Sequence, residues 1–154
     1  MYRKTEAHIN LDAIRANLAL AGSLAPGSQS VAVIKADAYG HGMLRVAEAL
    51  QDLAPAFAVA TIDEALELRE SGMRNAILVL QGATSAAAYD AAAAHSLTLV
   101  VHTPEQVASL LAARVSVPVW LKIDSGMHRL GLLPDDCADV HQRLVDGDVD
   151  VQVV

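Results

Sequence analysis

Short apolar runs alternate with amphipathic stretches along this chain, and their spacing limits the folds open to it more than any other feature. The runs begin near residues 31, 56, 76, 97 and 117. Helix signals lie between them. Met43, Val46, Ala47 and Leu50 recur at i, i+3, i+4 and i+7, which makes one apolar stripe. Thr61-Ile-Asp-Glu64 is a capping box, in which a hydroxyl and a carboxylate satisfy free helix N–H groups. Thr103-Pro-Glu-Gln106 repeats that signature with proline at the first helical position, ahead of a stripe of Val107, Leu110 and Leu111. Strands and helices alternating at so even a period predict a parallel sheet with helical crossovers. An open doubly wound sheet and a (β/α)8 barrel both fit. No Gly-x-Gly-x-x-Gly follows the first strand, which argues against dinucleotide binding.

In chain order, the pattern predicts a helix from Leu11 to about Leu24, with Asn10 as its N-cap. A strand from about Ser30 to Ala36 and a helix from Gly42 to about Gln51 follow. Further strands are expected over Ala56 to Ala60, Ala76 to Leu80, Leu97 to Val101 and Val117 to Ile123. Helices close these units, one of them from Ser85 to about His95 and the last from Pro134 to about Val145. Val149 to Val154 reads as a sixth strand.

Composition excludes several function classes. The 154 residues are 53% apolar and 19% charged, so the chain is globular rather than disordered. A formal net charge of −7 argues against nucleic acid or an anionic membrane as partner. One cysteine, Cys137, allows no internal disulfide and fits a reducing compartment. No signal-peptide core follows the charged first dozen residues, and no run reaches the roughly 18 apolar residues of a membrane span. The expected location is cytoplasmic. His8, His95, His102 and His141 lack metal-ligand spacing, so no metal site is expected, and these histidines with His128 read as surface or packing residues. Ser125 has no nucleophile elbow or partnered base.

The chemistry-bearing stretch is Val31-Ala-Val-Ile-Lys-Ala-Asp-Ala-Tyr-Gly-His-Gly42. Its apolar start reads as a strand buried on both faces, with Lys35 at the C-terminal end. Gly40 and Gly42 would break the strand and turn the backbone into the next helix. The Gly40-His41-Gly42 turn before that helix could hold an anion. In an apolar site a lysine favours the neutral amine that attacks carbonyls. Taken alone, Lys35 reads first as an ordinary strand-end lysine whose ammonium reaches water.

These twelve residues resemble the motif around the cofactor-binding lysine of alanine racemases, pyridoxal-phosphate enzymes that interconvert L- and D-alanine. Lys122-Ile-Asp-Ser-Gly-Met-His-Arg-Leu-Gly131 resembles a second motif of that family, and the two occur in the family's order. The resemblance implies the barrel, with active-site residues at the C-terminal ends of the strands. It implies that Lys35 is the Schiff-base lysine and an acid/base on one face of the substrate, and that Tyr39 lies near the cofactor phosphate. It implies that Arg129 binds the cofactor's phenolic oxygen and the substrate carboxylate. Lys122 matches a position carbamylated in some members; the alternative is a simple Lys122–Asp124 ion pair at a strand end. Asp37 and His41 belong to the first motif without an assigned step.

A (β/α)8 barrel needs eight strands and about 250 residues, whereas six strands at most are readable here. The apolar ending Val151-Gln-Val-Val154 is unlike a polar, exposed terminus. Residues 1–154 are therefore expected to be the N-terminal portion of a longer pyridoxal-phosphate-binding barrel, with the remaining barrel and a C-terminal β domain absent. The family's opposite-face acid/base is a tyrosine from the partner subunit's C-terminal domain, which implies a homodimeric parent acting on alanine. The alternatives are a broad-specificity racemase or another lysine-linked barrel enzyme and, from a different class, a non-catalytic cofactor-binding or subunit-associating fragment.

Overall fold

The computed structural model describes residues 5–153. Six strands form one sheet: β1 (Val31–Val33), β2 (Ala56–Val59), β3 (Ala76–Val79), β4 (Thr98–Val101), β5 (Val119–Leu121) and β6 (Val151–Val153). The helices are α1 (Leu11–Leu24), α2 (Lys35–Gly40), α3 (Met43–Leu50), α4 (Ile62–Glu70), α5 (Ala86–Ala94), α6 (Pro104–Ala113) and α7 (Cys137–Asp146). Every strand pairing is parallel, and the spatial order is the chain order, β1 to β6. A doubly wound sheet reverses its order at a switch point. This order never reverses, so the open alternative is excluded and the winding is that of a (β/α)8 barrel.

The period-two alternation of each strand divides the core. Phe57, Val59, Ile77, Val79, Leu99 and Val101 face the helical layer, where they are buried with Leu68, Tyr89, Val107 and Leu144. Burying one such side chain contributes ~1.5–3 kcal/mol. Ala58, Leu78 and Val100 lie on the opposite face, with Val31, Leu80 and Trp120 half-buried beside them. Central strands β2 to β4 are thus covered on both faces, the burial expected of β1. β1 is not: it lies at the sheet edge, and Val33 is 41% exposed.

Local signals explain most helix starts. Asn10 caps α1 by accepting from the Ala13 N–H at 3.0 Å. Thr61 and Glu64 complete the capping box of α4. The box expected at α6 is half made. Thr103 accepts from the Gln106 N–H at 3.2 Å, but the Gln106 side chain turns instead to the His102 N–H and the Gln81 carbonyl. A 3-10 turn, Pro134–Asp136, precedes α7, so the last helix starts later than its proline and acids suggest. The sixth strand is present as Val151–Val153; Val154 lies outside the described residues.

The main departure is at the first motif. The strand ends at Val33, not Ala36, and Ile34 leaves it with ψ near 22°. Gly40 and Gly42 have positive φ, as a turn requires, but the chain has already left the sheet before them.

Candidate active site

Parallel strands that all point one way put all their C-terminal ends on one rim. Lys35, Thr61, Gln81, His102 and Lys122 each follow the last residue of their strand by one or two positions, so all five share it. Lys35 is half-buried, and its amine makes no hydrogen bond or ion pair among the described residues.

Directly after Lys35 the backbone turns left-handed. Ala36, Asp37, Ala38 and Tyr39 have φ of 52°, 54°, 51° and 56°. Each non-glycine residue in this conformation is disfavoured by ~1–2 kcal/mol, so the four together hold on the order of 4–8 kcal/mol of strain. Such a turn persists only when its surroundings over-determine it, and here they do. The Ala38 N–H donates to the Ile34 carbonyl at 2.9 Å, and the Gly42 N–H to the Asp37 carbonyl at 3.0 Å. Asp37 accepts from the Met43 N–H at 2.7 Å, which gives α3 the cap that Gly42 cannot supply. His41 Nδ1 donates to the Ala38 carbonyl at 2.8 Å. Glu64 reaches across from α4 and accepts from the Ala36 N–H at 2.7 Å. Asp37 and His41, which had no assigned role, therefore brace the turn. The anion reading of Gly40-His41-Gly42 is corrected, because the Asp37 carboxylate already occupies the Met43 N–H. Tyr39 is 62% exposed, and its hydroxyl is unpartnered among the described residues.

The second motif forms a loop closed at its base. Ile123 and Leu132 make an isolated parallel bridge, with the Asp124 N–H donating to the Leu132 carbonyl at 2.8 Å. Asp124 organises the interior. It accepts from the N–H groups of Gly126 at 3.0 Å and His128 at 2.9 Å and pairs with His128 Nδ1 at 3.0 Å. The His128 and Gly126 N–H groups hold the Asp124 carboxyl below the usual carboxylate range, against the upward push of burial. The alternative of a Lys122–Asp124 ion pair is overturned, because Asp124 spends its oxygens on its own loop and on His128. Lys122 is half-buried and Arg129 exposed, and neither side chain is paired among the described residues. Gly131 has φ of 139°, and a Cβ there would lie 2.4 Å from the Asp124 amide nitrogen, so only glycine closes this loop.

A buried polar network underlies the rim between these motifs. His102 is 9% exposed, not a surface residue. Its Nε2 lies 3.2 Å from the Gln81 carbonyl, which only accepts, so Nε2 carries the proton. Tyr89 donates through its hydroxyl toward the carbonyls of Ala83 at 2.9 Å and Gln106 at 3.1 Å. Gly82 fits under this network because a Cβ there would meet the Val100 carbonyl oxygen at 2.2 Å. Leu130 lines an open cleft of about 290 Å³ with Gln81, Thr84, His102, Thr103 and Gln106. Lys35 and Tyr39 thus share one turn, and Lys122 and Arg129 share one loop. The two groups follow strands β1 and β5 at the same end of the sheet, with three strands between them and no hydrogen bond or ion pair joining them among the described residues.

A singly wound parallel sheet that carries Lys35, Lys122 and Arg129 at the C-terminal ends of its strands defines a portion of a (β/α) barrel, the fold that places its active sites on that rim. Comparison with known proteins narrows this. The family described as alanine racemase, N-terminal domain, matches residues 9–154, and the chain belongs to that family. It is 51% identical over 146 residues to the alanine racemase of Chromohalobacter salexigens, covering 94% of this chain and 40% of that protein. It is 49% identical over 144 residues to the catabolic alanine racemase of Pseudomonas aeruginosa, covering 92% of this chain and 40% of that protein. Its fold matches the crystal structure of the biosynthetic alanine racemase from Pseudomonas aeruginosa with a TM-score of 0.84 at 47% identity, covering 88% of this chain and 38% of that one. The chain therefore spans about 40% of the length of the relatives it matches. The family uses pyridoxal phosphate. No helix among the described residues is long and apolar enough to cross a membrane.

Proposed function

We propose that this chain is the lysine-bearing, N-terminal barrel portion of a pyridoxal-phosphate-dependent alanine racemase, acting in the cytoplasm as part of a homodimer that supplies D-alanine for peptidoglycan. The observation that carries this is the unpaired amine of Lys35 on the rim of a singly wound sheet, in a chain half identical to alanine racemases. The donor set suits the cofactor: a free amine for its aldehyde, and a free phenol and guanidinium for its anionic oxygens. When bound, the cofactor supplies an electron sink for the charge left by loss of the substrate α-proton.

Lys35 would anchor the cofactor through its amine, and the same amine would move a proton on one face of the substrate α-carbon. Arg129 would hold the cofactor's phenolic oxygen and orient the substrate carboxylate, tasks suited to a planar, permanently charged fork. Tyr39 donates its hydroxyl toward the cofactor phosphate. Lys122 is a candidate for carbamylation, which would turn it into an anion that holds Arg129. A mass gain of ~44 Da on a gently handled sample, the added CO₂ of a covalent modification, tests this; an unmodified mass refutes it.

Racemisation needs a second acid/base on the opposite face, and no residue of this chain is assigned that task. The 154-residue polypeptide alone is expected to form no appreciable D-alanine from L-alanine with pyridoxal phosphate present. Sustained D-alanine formation by the purified chain would overturn this division of roles.

A further inference from the structure

We propose that Glu64 is a positioning residue for Lys35. Its sequence context explains it fully as the carboxylate of a helix capping box, and Oε2 does serve that role, accepting from the N–H groups of Ala60 at 2.7 Å and Thr61 at 3.4 Å. Oε1 does something the box does not require. It accepts from the Ala36 N–H, 28 residues away in sequence, at 2.7 Å. That N–H belongs to the peptide unit whose carbonyl is Lys35's own, so the carboxylate fixes the plane in which the lysine backbone ends.

The need for such a contact follows from the fold. The ladder between β1 and β2 stops at Val33 and Ala58, with one further bond from the Ile34 N–H to the Ala58 carbonyl at 2.9 Å. Lys35 lies beyond the reach of sheet pairing and directly before the left-handed turn. Glu64 carries the attachment onward. One carboxylate joins the peptide after Lys35 to the peptides that end β2, so the lysine keeps the register of the rim without being in a strand. Charge-assisted bonds of this kind are about twice as strong as neutral ones.

The inference rests on Lys35 being the cofactor-linked lysine, and its test separates the two. Glu64→Gln keeps the side-chain shape but offers only one acceptor, so it cannot serve both the helix cap and Ala36. Thr61→Ala weakens the same helix cap and leaves both carboxylate oxygens in place. Two readouts are taken on the 154-residue chain: hydrogen exchange of the Ala36 amide without cofactor, and the equilibrium constant for covalent attachment of pyridoxal phosphate to Lys35, read by its visible absorbance. In Glu64→Gln, Ala36 exchange is expected to quicken and attachment to weaken, each about tenfold, as for the loss of one charge-assisted hydrogen bond. Thr61→Ala is expected to leave both near parental values. Attachment in Glu64→Gln within about twofold of the parent, or an equal loss in Thr61→Ala, overturns the proposal. If Glu64→Gln does not unfold cooperatively, Glu64→Asp, with the same charge and a shorter reach, is expected to show the same loss. If the parent takes no label at Lys35, the functional reading fails, and the exchange arm still decides whether Glu64 fixes the Ala36 peptide.

Discussion

Replacing Ala36 with glycine is expected to stabilise the protein, the opposite of what Ala→Gly does in an ordinary helix. Ala36 is exposed, so no packing is lost. Its φ of 52° and ψ of 54° are left-handed. Glycine removes a conformational penalty of ~1–2 kcal/mol at such a position. It also gives the unfolded chain more freedom, which offsets ~0.4–1 kcal/mol of that gain. The net is a rise in stability of about 0.5–1 kcal/mol, or roughly 1–4 °C in Tm for a chain of this size. The control is Ala16→Gly at an exposed site within the right-handed α1, which is expected to lose ~1 kcal/mol. Urea and thermal unfolding of the parent and both variants give the comparison. If Ala36→Gly destabilises the chain as much as Ala16→Gly, the turn after Lys35 is not left-handed in solution, and the bracing ascribed to Asp37, His41 and Glu64 has nothing to brace.

Gly131→Ala sets a Cβ 2.4 Å from the Asp124 amide nitrogen at a φ of 139°; urea denaturation is expected to show a loss of about 2–4 kcal/mol, and parental stability would refute the close approach. The Asp124 carboxyl lies below its unfolded value, so its contribution is complete above the unfolded pKa of ~3.9 and is lost as pH falls through the lower folded value. The stability gap between the parent and Asp124→Asn should therefore be constant from neutral pH to about pH 5 and close below it; a gap unchanged across the acid range contradicts this. Tyr89→Phe leaves two buried carbonyls short of a donor and is expected to cost about 1–2 kcal/mol, measured by the same denaturation.

What was legible in the sequence was what depends on near neighbours. The apolar period placed β2 and β3 at their observed starts, and Asn10, Ser85 and Thr61 begin their helices by bonding groups three residues ahead. Once parallel strands were inferred, Lys35 and Lys122 had to share a rim, although β1 ends two residues before Lys35. Contacts made across the sheet were hidden. Nothing near Ala36 announces a left-handed run, because alanine favours right-handed helix and the groups that impose the turn include a glutamate 28 residues away. Gln106 reads as half of a capping box, yet the carbonyl that captures its amide belongs to Gln81, two residues past the end of β3. Asp124 looked like a partner for Lys122 because charge suggests charge; the loop geometry instead offered it two backbone N–H groups and His128. Gly131 could have signalled a tight closure, but which backbone it approaches depends on the Ile123–Leu132 bridge.

The most direct test of the functional claim uses the fact that the chain has three lysines, Lys4, Lys35 and Lys122. The protein is incubated with pyridoxal phosphate, the linkage is fixed with borohydride, and the labelled peptide is located by mass spectrometry. The label is expected on Lys35. A label on Lys4 or Lys122 in its place, or on no lysine, would contradict the assignment of Lys35 as the residue that carries the cofactor.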